Sequence, residues 1–491
     1  MGAVLVVDAG TSGIRAAVVT DDGAVAVVHH REGLPTTPLP NFVEFDALAM
    51  RDAALVVAHA ALDEWGSGVE AVGVTNQRAT TLVWDRASGD PVGPCVAWQD
   101  LRTVGMCFAL REQGLRVAPN ASATKLAFLL DLADPDRRRA DAGELAFGTV
   151  DTWLAWCLSE GSVHVTDWSN ACVTGLVESD ASGWSPRVLE VLRVPERVLP
   201  AIVDSAAVVG EASALPGAPP IAGLAGDQQA SLLGQGCVRP GDAKITFGTG
   251  GMLDVCVGAE RPAFEMRGEA GTIPLVAWRL GGRLTWCAEG VMLSAGTAVE
   301  WLRDDLGVIA SAGESAEVAG SVDDADGVVF VPALLGLGTP VWDFGARGSL
   351  FGLTRGSTRA HVVRAVLEGV AHRGADLVEA AEADTGTAIE RLHVDGGMSA
   401  NEVFVQALAD AAGRPVELAP VTEATTLGAA HLAGMAVGVW ADERETAALY
   451  RPARVVEPAM TDGRRMRERE RWLEARARAA GWLPDLSALD F

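Results

Sequence analysis

Two short units of the same type, more than two hundred residues apart, constrain the fold of this chain most strongly. The first unit covers residues 3–20 and consists of an apolar strand, the small-residue turn 8–13 and a second strand. The second unit covers residues 243–257, with the glycine-rich turn 248–251 between its two strands. Each turn joins two strands, whereas the glycine-rich turn of a dinucleotide-binding βαβ unit joins a strand to a helix. The repetition therefore predicts two related α/β domains that face each other.

The length of the chain agrees with two domains, because 491 residues are too many for one compact core. Glycine and proline cluster at 233–241, which places the predicted boundary there. Downstream, apolar residues at helical spacing predict helices at 361–383, 401–411 and 426–436. The Arg/Glu-rich tail at 460–480 is predicted to be a solvated helix without assigned chemistry.

Composition excludes several classes of partner. The formal net charge of −26 disfavours nucleic acid and anionic membrane surfaces. No apolar run reaches the ~18 residues of a membrane span, and the N-terminus enters a strand without a basic leader, so we expect a cytoplasmic protein. The seven cysteines never form a CxxC pair, which predicts free thiols in a reducing compartment rather than disulfides or zinc ligands. Only Lys125 and Lys244 are lysines, and we attribute the excess of arginine to genomic composition bias.

The two turns are candidate phosphate-binding loops. Asp8 ends an apolar strand and opens the first turn, where backbone amides can point at phosphate oxygens and a carboxylate can hold Mg²⁺. The second turn contains Gly248, Thr249 and Gly250. Either turn alone favours the interpretation as an ordinary hairpin. Together, however, two facing hairpins can grip a triphosphate from both sides, which favours the functional interpretation.

Two further segments join a strand to a helix. Asp227 follows a small-residue stretch, and its carboxylate is either a base toward a substrate hydroxyl or a helix N-cap. In the segment 394–401, glycines allow a flat nucleotide base to approach the backbone and Asn401 can hydrogen-bond that base. The alternative there is a strand-to-helix turn capped by Asn401. Trp98, with Arg78 upstream, is also compatible with a place in the core.

The order of these segments resembles the FGGY carbohydrate kinase family, and its glycerol kinase branch in particular. The resemblance spans nearly the whole chain and is carried by the segments 8–11, 73–78, 147–154, 163–167, 225–229 and 351–356. It implies an actin-like architecture of two ribonuclease H-like α/β domains with a nucleotide cleft between them. The N-terminal domain, 1–236, would hold the polyol or sugar and the phosphates, and the C-terminal domain, 237–491, would hold the ATP side.

The resemblance also implies a role for each matched position. Asp227 would be the catalytic base, and Asp8 and Asp227 would hold Mg²⁺ directly or through water. The phosphates of ATP would be contacted by Thr11, Ser12, Gly13, Arg15, Gly248 and Thr249. The nucleoside would be surrounded by Gly296, Glu300, Gly397 and Asn401. The alcohol would be held by Arg78, Trp98, Asp227 and Gln228, with Ala79 and Asn120 beside them.

Three positions depart from the pattern of the family's glycerol kinases. Ala79 stands where those enzymes carry Glu, Asn120 where they carry Tyr, and Glu300 where they carry Gln. An unpaired buried substrate hydroxyl costs about 1–3 kcal/mol. By that measure the site would bind glycerol roughly ten- to a hundredfold more weakly, unless neighbouring groups compensate.

These observations predict a Mg²⁺-dependent kinase that uses ATP to phosphorylate a hydroxyl of a polyol or sugar. Glycerol, giving glycerol 3-phosphate, is the leading substrate, and a four-carbon polyol or a pentulose is the alternative. We also expect a homo-oligomer, either a dimer or a tetramer. An actin- or Hsp70-like ATPase and a catalytically inactive sensor are more remote alternatives. An actin- or Hsp70-like ATPase would have no use for Arg78, Trp98 and Asp227. The intact Asp8 and Asp227 disfavour an inactive sensor.

Overall fold

The first part of the chain forms a six-stranded mixed sheet with helices around it. The computed structural model describes residues 2–420 and 423–489. The strands of this part are β1 (Ala3–Ala9), β2 (Gly13–Thr20), β3 (Val25–Glu32), β4 (Glu44–Phe45), β5 (Ala71–Asn76), β6 (Leu82–Asp85), β7 (Cys95–Val96), β8 (Leu145–Gly148), β9 (Val165–Asp167), β10 (Ala201–Val203), β11 (Ala206–Glu211) and β12 (Pro220–Gly226). The helices are α1 (Ala47–Trp65), α2 (Val104–Glu112), α3 (Ser122–Ala133), α4 (Arg138–Ala142), α5 (Val150–Leu158), α6 (Trp168–Ala171), α7 (Pro186–Leu192) and α8 (Asp227–Gly234). Across the large sheet the strand order is β11-β12-β5-β1-β2-β3.

The second part forms a seven-stranded mixed sheet. The strands of this part, of which β17 and β18 pair separately, are β13 (Ala243–Phe247), β14 (Gly251–Gly258), β15 (Ile273–Leu280), β16 (Arg283–Met292), β17 (Val329–Val331), β18 (Ser349–Phe351), β19 (Leu392–Asp395), β20 (Val416–Leu418) and β21 (Arg454–Val456). Its helices are α9 (Gly296–Glu300), α10 (Glu314–Gly320), α11 (Arg359–Thr385), α12 (Glu402–Ala412), α13 (Ala424–Val437), α14 (Glu443–Ala447), α15 (Asp462–Ala479) and α16 (Pro484–Ser487). The sheet order is β15-β16-β14-β13-β19-β20-β21.

The two sheets have the same internal topology. In the first, β1, β2 and β3 form an antiparallel meander, while β5 and β12 run parallel to β1. In the second, β13, β14 and β16 are joined antiparallel, while β19 and β20 run parallel to β13. The two glycine-rich turns therefore occupy corresponding places between the first two strands of each sheet. The predicted fold, two related α/β units, is confirmed.

Helices α8 and α13 cross where the two parts of the chain meet. A methyl group on Gly428 of α13 would overlap the carbonyl oxygen of Ala230, and one on Gly234 of α8 would overlap that of Ala424. The backbones can touch only because both positions are glycine. Although α13 comes late in the chain, its apolar residues pack against the first sheet, on a core that includes Val4. These two helices therefore link the sheets.

The prediction that the tail helix is fully solvated is wrong for one face. Trp472, Ala475 and Ala479 of α15 are buried in an apolar cluster with residues of β17. The indole Nε1 of Trp472 donates to the carboxylate of Asp376, in α11, at 3.1 Å. The helix is thus an integral part of the second unit. All seven cysteines are unpaired, as expected. Within the described ranges, no helix is both long and apolar enough to span a bilayer.

Candidate active site

Three parallel strands of the first sheet bring the predicted site residues to one edge. Asp8 lies near the end of β1, Arg78 follows β5, and Asp227 follows β12 directly. The carboxyl ends of parallel strands lie at the same edge of a sheet, so these residues meet although the chain separates them widely. Burial raises the pKa of Asp8, and the negative charge of Asp227 raises it further. The two carboxylates therefore lie near each other.

Asp227 is the first residue of α8, and Gly226 occupies the N-cap position. The Asp227 carboxylate is therefore not the N-cap group of this helix. Its Oδ1 accepts a hydrogen bond from the Gln228 amide at 2.8 Å, and the side chain is 30% exposed, so solvent or a substrate can reach it. Burial raises the pKa of Asp227, whereas the positive charges of Arg78 and Lys244 lower it. A partly accessible carboxylate with these neighbours can accept a proton from an alcohol.

The Arg78 guanidinium is held by acceptors on three sides. Its Nη2 forms an ion pair with Glu289 Oε2 at 2.6 Å, and its Nε lies 3.5 Å from Asp227 Oδ1. Its Nη1 donates to Gln229 Oε1 at 3.4 Å. A Cβ on Gly226 would lie 2.6 Å from Arg78 Cδ, so glycine there lets the arginine side chain pass. Burial disfavours the charge, but Glu289 and Asp227 outweigh it and raise the pKa of Arg78 above its ordinary value.

The fully buried Lys244 connects the Asp227 segment to the second sheet. Its Nζ donates to Gln228 Oε1 at 2.5 Å and to Thr246 Oγ1 at 3.1 Å, and it pairs with Asp254 Oδ2 at 2.9 Å. Lys244 and Thr246 belong to β13, which leads into the second glycine turn. The Lys244 ammonium therefore holds Gln228, the residue after Asp227, in a fixed position relative to the second glycine-rich turn.

The first turn faces a residue from the second part of the chain. Arg15 Nη1 pairs with Glu423 Oε1 at 3.3 Å. Burial raises the pKa of Asp8 to about 7; Arg15 opposes this shift, while the charges of Asp227 and Glu423 increase it. Two other carboxylates thus act on Asp8 at this edge. Ser12 is exposed and Gly13 lies in β2, where a Cβ would overlap the His30 ring.

Open space lies beside one glycine of the second turn and beside one glycine after β19. A Cβ on Gly248, or on Gly397 after β19, would meet no atom within 4 Å. In contrast, a Cβ on Gly296 would lie 2.6 Å from the carbonyl oxygen of Gly248. The carbonyl oxygen of Thr249 accepts the amides of Ala295 and Thr297 at 2.9 and 3.2 Å, which fixes the turn against α9. The turn is therefore rigid on one side and open on the other, as a phosphate cradle requires.

The remaining predicted nucleoside residues lie at helix ends. Asn401 caps α12, because its Oδ1 accepts the Phe404 amide at 3.0 Å, and its Nδ2 donates to Ser315 Oγ at 3.0 Å. The capping alternative is thus part of the structure, and a contact with the nucleoside stays a prediction. Glu300 is exposed at the end of α9.

The predicted alcohol-binding residues have different environments. Trp98 is 37% exposed and is therefore not a core residue; its Nε1 donates to Thr11 Oγ1 at 3.4 Å, so it lies beside the first turn. Asn120 is exposed. Ala79 is 4% exposed and adopts a φ of 60°, a conformation that alanine rarely takes. Its carbonyl oxygen accepts the Ser122 hydroxyl at 3.0 Å, which helps to hold this backbone in place.

Sequence reasoning missed four charged residues around this site: Lys244, Asp254, Glu289 and Glu423. Glu289 and Asp254 are the single acidic residues of their strands, and they face each other across the β14–β16 pair. A buried acidic residue within a strand was the only available signal, since such a group needs a partner. That partner could not be named without the fold.

The donor set fits Mg²⁺ on the condition that substrate phosphates and waters supply the remaining ligands. Among the residues that the structure describes, no three His, Cys, Asp or Glu side chains cluster closely enough to hold a metal by themselves. Mg²⁺ commonly uses one or two carboxylates together with substrate phosphates and waters. Asp8 and Asp227 match that pattern, because a divalent cation would offset both the burial and the neighbouring carboxylates that raise the pKa of Asp8.

A partly accessible carboxylate beside an arginine, at the edge of one of two similar sheets that each carry a glycine-rich turn, fits a two-domain small-molecule kinase. Comparison with known proteins identifies the family. The chain belongs to the FGGY family of carbohydrate kinases: the model of the family's N-terminal domain matches residues 3–234 and that of its C-terminal domain matches 243–437.

Similar proteins are known over the full length. Glycerol kinase 2 of Thermotoga maritima is 42% identical, with 98% of this chain and 99% of the relative covered. Glycerol kinase of Plasmodium falciparum, solved with ADP, has a TM-score of 0.91 at 26% identity and 98% coverage of both chains. A xylulose kinase from Brucella ovis has a TM-score of 0.84 at 26% identity, with coverage of 99% and 100%. The predicted family resemblance is confirmed.

Proposed function

We propose that the protein transfers the γ-phosphoryl group of ATP to a hydroxyl of a polyol, with glycerol as the leading substrate and glycerol 3-phosphate as the product. The observation that carries this proposal is the position of Asp227. Its accessible carboxylate lies beside Arg78 and Lys244 and close enough to Asp8 to influence its pKa. The names of the similar glycerol kinases support the same substrate.

In this proposal Asp227 accepts the proton of the substrate hydroxyl. The hydroxyl oxygen bonds to the γ-phosphorus of ATP, and ADP leaves. Arg78 and Gln228 hold other hydroxyls, and the indole of Trp98 packs against the carbon chain. Phosphates lie between Thr11, Ser12, Gly13 and Arg15, at the first turn and the start of β2, and Gly248 and Thr249 of the second turn. Mg²⁺ on Asp8 and Asp227 would neutralise phosphate charge. Gly296, Glu300, Gly397 and Asn401 surround the nucleoside.

A four-carbon polyol or a pentulose is the second candidate substrate. Ala79 presents only a methyl group next to Arg78, and Asn120 is exposed rather than packed as a wall. A site that offers fewer hydroxyl acceptors and an open side favours a longer substrate over glycerol. The similarity to a xylulose kinase fits this alternative.

The test is an ADP-release assay coupled to NADH oxidation, with glycerol, erythritol, threitol, xylulose, ribulose and gluconate. We expect kcat/KM for one polyol to exceed all others and ATP hydrolysis without acceptor to be slow. The variant Asp227→Asn should lower kcat by about 10²- to 10⁴-fold while ATP binding persists. Asp304→Asn, at an exposed ion pair with Arg303, is the control. Absence of transfer to all six acceptors refutes the proposal, and full turnover of Asp227→Asn refutes the assigned base.

Two further expectations belong with this function. We propose a cytoplasmic location, which the unpaired state of all seven cysteines supports. We also propose a homo-oligomer, a dimer or a tetramer, which light scattering coupled to size exclusion measures directly.

A further inference from the structure

Lys125 has an unusual environment for a lysine. It lies in α3 and is completely buried. Its Nζ is within hydrogen-bonding distance of four backbone carbonyl oxygens, those of Trp98 (3.2 Å), Pro119 (3.1 Å), Asn120 (3.0 Å) and Ala121 (3.3 Å). These carbonyls come from two separate loops. The first carries Trp98, and the second, 119–121, precedes α3 and carries Asn120.

The direct hydrogen bonds of the Lys125 ammonium go to these carbonyl oxygens. The nearest acidic group, Asp100, already forms an ion pair at 2.7 Å with Arg102. The other charged or titratable groups that face Lys125 are Arg102 itself and the Cys107 thiol of α2, whose pKa burial raises, so that it stays neutral. Burial lowers the pKa of Lys125 to about 7, although Asp100 opposes this shift.

The identity of the residue fits this geometry. In a chain with 39 basic residues, only Lys125 and Lys244 are lysines. Both are fully buried, and each ammonium is surrounded by oxygen atoms on several sides. An ammonium is a compact charge with three rotatable donors, whereas a guanidinium is planar and larger. Composition bias explains why arginine is common elsewhere, but it does not explain lysine at these two sites.

We propose that Lys125 is a positioning residue for the alcohol substrate, which ties the Trp98 loop to the 119–121 loop and thereby sets the spacing of one wall of the alcohol pocket. The proposal rests on the proposed function, because Trp98 and Asn120 are its alcohol-binding residues. Lys125 itself touches no substrate. Replacing Lys125 should therefore weaken alcohol binding more strongly than nucleotide binding, since the second glycine turn and α9 belong to the second part of the chain.

The pH dependence separates this role from a purely structural one. Because burial lowers the pKa of Lys125 from 10.5 to about 7, the ammonium predominates below pH 7 and is lost as the pH rises through 7. The folded pKa lies below the unfolded value, so this group makes the protein more stable as the pH rises from 7 to 10.5. Alcohol binding should change in the opposite direction, because a neutral amine has only two donors for four carbonyls.

The experiment compares Lys125→Met with Arg137→Met, using the preferred alcohol of the substrate panel. Arg137 is also buried and donates to backbone carbonyls, those of Arg193 and Asp134, but touches neither loop. We expect Lys125→Met to raise KM for the alcohol by about 10- to 100-fold, with KM for ATP changed by less than about threefold. Arg137→Met should leave both values near those of the wild type.

The wild-type protein provides a second measurement that does not depend on folding of the variant. Between pH 6 and 8.5, KM for the alcohol should rise above pH 7, whereas KM for ATP should not follow it. A pH-independent KM for the alcohol, or an unchanged KM in folded Lys125→Met, overturns the positioning role while leaving the kinase assignment intact. If no acceptor of the panel is phosphorylated, the proposed function fails, and this inference fails with it.

Discussion

Replacing Asp376 with asparagine should undock the C-terminal helix α15. The carboxylate is fully buried in α11 and forms ion pairs with Arg373, Arg469 and Arg476 at 2.8, 2.8 and 2.9 Å. Burial alone would raise its pKa, but the three guanidiniums reverse this and lower the pKa from 3.8 to about 2. Since one pKa unit corresponds to about 1.4 kcal/mol, the carboxylate is favoured over a neutral group by about 2–3 kcal/mol.

The loss in Asp376→Asn should be larger than that figure, because two buried guanidiniums and one partly buried guanidinium are left around a neutral amide. Breaking a buried ion pair by removing one partner costs about 3–5 kcal/mol. We expect a clear decrease in melting temperature by differential scanning calorimetry and faster proteolysis within 462–479. Glu474→Gln, which removes an exposed pair with Arg478 in the same helix, should change the stability by less than about 0.5 kcal/mol.

The sign of the pH dependence provides a further test of Asp376. Because its folded pKa is depressed, its contribution is complete above about pH 4 and disappears as the pH falls towards 2. The stability difference between wild type and Asp376→Asn should therefore shrink over that interval. If Asp376→Asn is as stable as Glu474→Gln at neutral pH, the buried network does not dock α15 and the reasoning is refuted.

Three other substitutions test the site and the helix crossing. If a missing hydroxyl acceptor limits glycerol binding, Ala79→Glu should raise kcat/KM for glycerol by about 10- to 100-fold in the coupled assay. An unchanged kcat/KM would favour a longer substrate. Glu289→Gln removes the 2.6 Å partner of Arg78 and should lower kcat/KM for the alcohol by at least about tenfold; unchanged kinetics would show that Arg78 does not depend on this pair. Gly428→Ala should lower the melting temperature, because its methyl group meets a backbone oxygen of α8. Gly105→Ala, in open space in α2, should raise the stability slightly. Equal effects of the two substitutions would contradict the helix crossing.

Much of the fold could be predicted from the sequence because it is encoded locally. The strand Ala243–Phe247 agrees with its prediction residue for residue, and the meander around the first turn agrees within two residues. Alternation of apolar residues and glycine-rich turns is a property of short segments. For the same reason the strand ends at Asp8 and Asp227 stood out as candidate site positions. Their roles stay predictions, but their placement at one sheet edge follows from the parallel pairing of β1, β5 and β12.

The sequence by itself determined the two repeated sheets, the family and the residues that follow their strands. Only the tertiary structure decided which charges meet: Arg78 with Glu289, Lys244 with Gln228 and Asp254, and α15 with Asp376. Secondary structure depends on dihedral preferences and apolar periodicity within a few residues. Ion pairs between buried groups depend instead on the register of strands and the crossing of helices, which bring together residues more than two hundred positions apart, such as Arg78 and Glu289.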